Sequence, residues 1–257
     1  MEYWYKNTVV VIGMLIFAII LEYLKGRKVE SMFLVNDIKK ESSSIGSVLL
    51  IIAHPDDEIM FYTPTIKTLL SFNIQIKILC LSNGNFYGLG ELREKEFDNL
   101  SRHLNLPYNQ IINIPELQDN INKKWDSAVV SQQIEEYLKE NEDVKTILTF
   151  DEKGITKHPN HISCFNGLQY YLNKNSDECK RKGINVYTLD SFNFFFQYTI
   201  FAPLFYSLIK SYGYYTMTFV SSFKLMSFYE TQFNLLRKAH VILSGYSYFN
   251  SYTKFEY

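Results

Sequence analysis

Cysteine is scarce: Cys80, Cys164 and Cys179 are the only three among 257 residues, and no two stand at CxxC spacing. An odd, unpatterned set excludes a disulfide framework and a thiolate zinc site, and it fits a reducing compartment. Excess charge of one sign is also missing. The net charge is −1, with Lys and Arg scattered and not gathered into a stripe, so there is no electrostatic case for a nucleic-acid partner. There is no internal repeat, and no GxGxxG follows the first predicted strand, which sets aside a dinucleotide site. Apolar residues, by contrast, make up 47% of the chain, enough to fill the core of one large domain with attachments.

The longest apolar run lies near the N-terminus. Residues 9–21 are uninterrupted, and residues 8–24 extend the run with Glu22 as its single charge. At about 1.5 Å per residue a helix of that length reaches roughly 26 Å, a marginal span of a thin bilayer. Tyr3, Trp4 and Tyr5 flank one side, and Lys25, Arg27 and Lys28 the other, so the positive-inside rule places the following domain in the cytosol. A cleaved signal peptide and a buried core helix are the competing readings; no small-x-small site follows the run, which favours a single transmembrane anchor over 8–24. Residues 1–7 are then a short tail, and residues 25–46, ending in "KKESSSIG", a polar linker.

From there apolar, β-branched runs at 47–53, 74–81, 109–114, 145–150 and 184–189 alternate with helical patterns at about 58–71, 91–104, 127–140 and 160–173. Alternation of this kind predicts an α/β fold over 47–190, a mostly parallel sheet with helices on both faces and right-handed crossovers. Loops that follow such strands gather at one edge of the sheet.

Two of those loops carry chemistry. "LLIIAHPDDEIMFYTP" (49–64) delivers His54, Asp56, Asp57 and Glu58 from the end of a buried strand, and "TFDEKGITKHPNHISC" (149–164) delivers His158 and His161 from another, with Pro159 suited to the first turn of a helix. HxxH alone is weak, and a lone histidine is more often a structural hydrogen-bonder. Together the clusters offer two imidazoles and a carboxylate, His54, Asp57 and His161, which match the three ligands of a catalytic zinc site with one open position. Asp56 cannot easily point the same way as Asp57, so it is left to face a metal-activated water as general base. Glu58 opens the next helix, where complementing the helix dipole is enough to account for it.

The blocks "AHPDDE", "FYTPTI", "LSNGNFYGLGELREKE", "KWD", "FDEKGITKHPNHIS" and "TLDSFNFFFQY", in that order over residues 48–200, resemble the N-acetylglucosaminylphosphatidylinositol de-N-acetylase (PIG-L) family, with a weaker echo in "SFYETQFNLLRKAHVILSGYSYFNSY". The resemblance implies a Rossmann-like fold and a zinc-dependent removal of acetate from GlcNAc-phosphatidylinositol. That reaction is the second step of glycosylphosphatidylinositol (GPI) anchor synthesis, on the cytosolic face of the endoplasmic reticulum. Carried over by position, it makes His54, Asp57 and His161 the metal ligands and Asp56 the base. His158 becomes the group that stabilises the oxyanion or acts as acid. Iron(II), manganese or cobalt could occupy the same ligands as Zn2+.

The resemblance also suggests that Arg93 contacts the sugar or phosphate, as a guanidinium's paired donors suit a phosphodiester; the alternative is an i, i+3 ion pair with Glu96 on a solvated face. Asp119 is a weaker transfer, to sugar hydroxyls. His103 and His240 lie outside any cluster. Residues 191–257 form an aromatic-rich C-terminal region, where 192–215 either lies among lipid headgroups or enters the core, and 222–243 reads as one amphipathic helix with Lys224, Arg237 and Lys238. Two other functions compete with the lipid-linked substrate: a zinc deacetylase acting on a soluble N-acetylglucosaminyl conjugate, and a metal-binding membrane scaffold without turnover, which would have no use for Asp56.

Overall fold

In a computed structural model, residues 46–199, 214–217 and 222–257 are described. The first strand, β1 (Ser47–Ile52), is buried along its whole length and runs into helix α1 (Asp57–Ser71). There follow β2 (Ile76–Cys80), α2 (Gly90–His103), β3 (Tyr108–Ile111), α3 (Ser127–Glu140), β4 (Val144–Phe150), the short α4 (Gly154–Lys157), α5 (Pro159–Arg181) and β5 (Asn185–Leu189). The chain closes with α6 (Phe194–Gln197), β6 (Tyr214–Met217), α7 (Ser222–Met226), α8 (Leu235–Leu243) and β7 (Phe249–Lys254). The described strands form one sheet in the order β3-β2-β1-β4-β5-β7-β6.

The first five strands are parallel, as the alternation predicts; β7 runs antiparallel to β5, and β6 antiparallel to β7. The C-terminal region therefore extends the sheet of the α/β unit. Helix α1 packs beside β6 and β7, while α3 packs along α5, so both faces are covered. The order reverses between β1 and β4, and in open parallel sheets a crevice opens at such a switch point, outside the carboxyl ends of the strands. The two histidine-bearing loops leave those two strands.

Two stretches depart from the sequence pattern for physical reasons. Helix α5 runs on to Arg181, past a non-helical Asn175, because Cys179 gives its polar last turns a buried anchor. The amphipathic stretch at 222–243 is two helices: between α7 and α8 the chain turns so that Thr231 donates its N–H and hydroxyl to Glu96, at 2.7 and 2.6 Å, and Asn234 caps the new helix by accepting from Arg237 N–H. These local bonds outcompete one continuous helix. No helix among the described residues is long and apolar enough to cross a membrane, and the run at 8–24 and residues 200–213 lie outside them.

Gly167 sets the approach of α5 to α3: a Cβ there would lie 2.1 Å from Cγ1 and 2.4 Å from Cβ of Val130. Alanine is the better helix former, yet Gly167→Ala lowers the unfolding free energy by about 1–3 kcal/mol through this overlap. Val130→Ala in the same chain recovers part of the loss. Chemical denaturation measures both, and an unchanged midpoint for the single variant contradicts the close packing.

Candidate active site

The two loops are held in unusual backbone conformations. Asp56, the residue before α1, has φ 109°, and Ile155 and Lys157 in the second loop have φ 58° and 60°. Side chains rarely adopt such values, and a β-branched residue least of all, so the surrounding bonds must enforce them. At Asp56 the enforcing group is Glu58, whose Oε2 accepts from Asp56 N–H at 3.1 Å. In the second loop Asp151 accepts from the N–H groups of Lys153 and Gly154 and from Ser191, and Ser191 Oγ in turn accepts from Ile155 N–H. The turn so fixed places the Gly154 carbonyl 3.1 Å from His161 Nδ1.

That bond leaves His161 Nε2 facing Asp57 Oδ1 at 3.2 Å, and the ring stacks on Phe150 with 4.1 Å between centroids. Asp57 Oδ2 accepts from the N–H groups of Ala53 and His54, at 3.1 and 2.9 Å, and lies 3.6 Å from His54 Nδ1. His54, Asp57 and His161 are all buried, and one donor atom from each lies within 4.8 Å of the others. The structure thus brings together the three residues that the sequence reading expects as ligands. For Asp57, burial pushes the pKa up, but the charges and hydrogen bonds of His161 and His54 prevail and hold it well below the carboxylate range.

A second group shares His54. His54 Nε2 lies 3.1 Å from Asp119 Oδ1 and 3.2 Å from Asn160 Oδ1, and His54, Asp119 and His158 also bring donor atoms within 4.8 Å. Burial lowers the His54 pKa, yet the hydrogen bonds and charges of Asp119 and Asp57 outweigh it and raise it to about 10. Both carboxylates thus hold positive charge on this ring. A divalent cation among the same atoms answers the same demand, and two imidazoles with a carboxylate and no thiolate suit zinc or another borderline metal. His158 caps α5, with Nδ1 accepting from Asn160 N–H at 3.2 Å. Burial, then the neighbouring His161 and His54, lower its pKa to about 4, so it is neutral at pH 7 with its proton on Nε2.

Asp56 is bracketed by two guanidiniums, with Arg93 Nη2 3.0 Å from Oδ1 and Arg237 Nε 2.9 Å from Oδ2. A carboxylate has about four lone-pair sites, so each oxygen keeps one for a water. Arg93 is buried and does not pair with Glu96, which is bonded to Thr231. Its Nη1 donates to Gly84 O at 3.0 Å and lies 3.8 Å from Asp119, and its Nη2 also donates to Pro55 O. Gly84, at φ 68°, is required here because a Cβ would lie 2.2 Å from Arg93 Nη1. Contact of Arg93 with a sugar or phosphate means sharing these donors. His103, at the end of α2, rests on Phe228 with ring centroids 4.7 Å apart, away from the cluster.

Sequence reasoning assigned Glu58 to the helix dipole, but the side chain is buried and accepts from the Tyr229 hydroxyl as well as from Asp56 N–H. Burial outweighs the Tyr229 bond and raises its pKa to about 8. Arg237, Tyr229 and Asn160 were missed as members of the site. The first two lie in the weaker C-terminal echo, and that echo was the available signal. Asn160, which also accepts from Asn120 N–H and donates to Lys123 O, was hidden between the two histidines.

A buried set of two histidines and one aspartate at the switch point of a parallel sheet has the donor types of a hydrolytic metal site and could hold a metal ion. Residues 49–171 match the PIG-L family, described as GlcNAc-PI de-N-acetylase. The chain is 35% identical over 175 residues to a probable N-acetylglucosaminyl-phosphatidylinositol de-N-acetylase of Schizosaccharomyces pombe, covering 67% of this chain and 68% of that one. It is 34% identical over 239 residues to a protein of the same description in Dictyostelium discoideum, covering 79% and 91%. Among solved structures, N,N'-diacetylchitobiose deacetylase from Pyrococcus horikoshii aligns with a TM-score of 0.57 at 13% identity over 89% of this chain and 93% of that one, a likeness of fold. The chain belongs to the PIG-L family of de-N-acetylases.

Metal binding must displace the proton that Asp119 and Asp57 hold on His54, so affinity rises with pH up to the His54 value of about 10. One displaced proton corresponds to about a tenfold gain in apparent affinity per pH unit. Zinc titration of chelator-stripped protein at two neutral pH values measures it. A flat affinity contradicts the assignment of His54 as a ligand.

Proposed function

We propose that the chain hydrolyses the N-acetyl group of GlcNAc-phosphatidylinositol, giving GlcN-phosphatidylinositol and acetate in GPI-anchor synthesis. The observation that carries this reading is the convergence of His54, Asp57, His161, Asp56 and His158 at one strand edge of a chain that belongs to the de-N-acetylase family. His54, Asp57 and His161 would hold Zn2+, which when bound supplies Lewis acidity to a water and to the acyl oxygen. Asp56 takes a proton from the water as its oxygen attacks the acetamide carbon, and Arg93 and Arg237 keep the carboxylate aimed. His158, neutral, donates from Nε2 to the developing oxyanion. The C–N bond then breaks, and the glucosamine nitrogen takes its proton from Asp56, since a neutral His158 has no spare proton to give. Asp119 lies beside His54 at the rim of this group, where it and Arg93 are the candidate contacts for sugar hydroxyls and phosphate.

The lipid-linked substrate goes with a membrane setting, and the apolar run at 8–24 with its flanking Lys25, Arg27 and Lys28 supports a single-pass anchor in the endoplasmic reticulum membrane with the α/β domain in the cytosol. Protease protection in sealed microsomes tests the orientation, and a lumenal HPDDE loop overturns it.

Membranes carrying the chain should release acetate from GlcNAc-phosphatidylinositol, read as free acetate. Asp56→Asn and His158→Gln each lower kcat by about 10²–10⁴ while metal content stays that of wild type. Cleavage of a soluble acetylated sugar but not of the lipid would keep the catalytic assignment and replace the substrate. Bound metal without turnover of either would favour a scaffold.

A further inference from the structure

Helices α6 and α8 hold apolar side chains out to solvent at one place. Phe194 and Phe195 are 71% and 82% exposed, and Leu235 and Leu236, in the first turn of α8, are 80% and 81% exposed. The helices are tied together by the Tyr198 hydroxyl, 3.2 Å from His240 Nδ1. Phe194 stands four residues before Tyr198, with ring centroids 5.0 Å apart, and Leu236 stands four residues before His240, on the same helix face. The exposed groups therefore flank a single contact, and single apolar side chains scattered on a soluble surface do not cluster in this way.

Cations outnumber acids along the described part of this region. Residues 192–199 and 222–244 contain Lys224, Arg237 and Lys238 against Glu230, in a chain whose net charge is −1. Protruding Phe and Leu backed by cations match an interface of acyl chains under anionic headgroups, which needs no complementary shape. The patch also borders the site, for Arg237, the residue after Leu236, is bonded to Asp56.

We propose that α6 and the first turn of α8 form a membrane-docking surface that inserts Phe194, Phe195, Leu235 and Leu236 into an anionic phospholipid interface and sets the Asp56 loop against the headgroups. The proposal rests on the lipid-linked substrate reading and adds the surface that brings the site to that substrate. An apolar anchor at 8–24 would tether the chain without orienting it; this second contact fixes the orientation.

The test uses the full chain reconstituted into vesicles. Cys80, Cys164 and Cys179 are buried, so Leu236→Cys can be labelled selectively with an environment-sensitive fluorophore. Phosphatidylcholine vesicles containing phosphatidylserine and brominated acyl chains should quench the label and shield it from aqueous iodide, more weakly without phosphatidylserine or in high salt. Full access to iodide with no bromolipid quenching overturns the proposal, as does shielding that depends on protein density alone, which would assign the patch to a second copy.

In the same vesicles, Phe195→Ser with Leu236→Ser should lower hydrolysis of embedded GlcNAc-phosphatidylinositol by about tenfold or more and leave hydrolysis of a short-chain, water-soluble analogue at the wild-type rate. Equal loss on both substrates would mean a structural role and overturn it. Wild-type inactivity on both would sink the substrate reading, while label quenching still decides the surface.

Discussion

The contact between Asp57 and its partners constrains the rest of the site. A carboxylate at 3% exposure must be answered from every side, because a buried charge that loses a partner costs about 3–5 kcal/mol. Asp57 meets that demand with two backbone N–H groups from the end of β1 and with imidazoles from both histidine-bearing loops. The end of β1 and the start of α5 are thereby drawn to one point, although His54 and His161 are far apart in sequence. The switch point between β1 and β4 is where a parallel sheet leaves room for that meeting.

Around this point the protein fixes backbone conformations that would not persist alone. Asp56 is held by Glu58 and by Arg93 and Arg237, and Ile155 by the Asp151–Ser191 network. Two of these supports, Tyr229 behind Glu58 and Arg237, come from the C-terminal region, as does Asn250, which accepts from Thr65 and donates to the Phe61 carbonyl of α1. The strained loop and the C-terminal segment are thus one mechanical unit, and the surface carried by α6 and α8 is physically continuous with Asp56 through Arg237.

Much of the sheet was legible because buried parallel strands read as β-branched runs between helical periods; α3 lies where its pattern predicts, and β1 and β4 differ by a residue. The donor set was legible for a related reason: ionisable residues at the ends of buried strands are hard to explain as solvated. What escaped were long-range polar contacts. Nothing local announces that Glu58 will meet Tyr229 across 171 residues or Asp56 meet Arg237 across 181. The break between α7 and α8 escaped for the same reason, since it is fixed by Glu96 on α2.

We propose that His54, Asp57 and His161 hold one divalent ion beside Asp56, and zinc K-edge X-ray absorption on the reconstituted protein reads that coordination shell. Two imidazole nitrogens are expected at about 2.0–2.1 Å with oxygen donors completing the shell, and one imidazole is lost in His161→Ala. Sulfur scattering at about 2.3 Å, or an imidazole shell unchanged by His161→Ala, would contradict it.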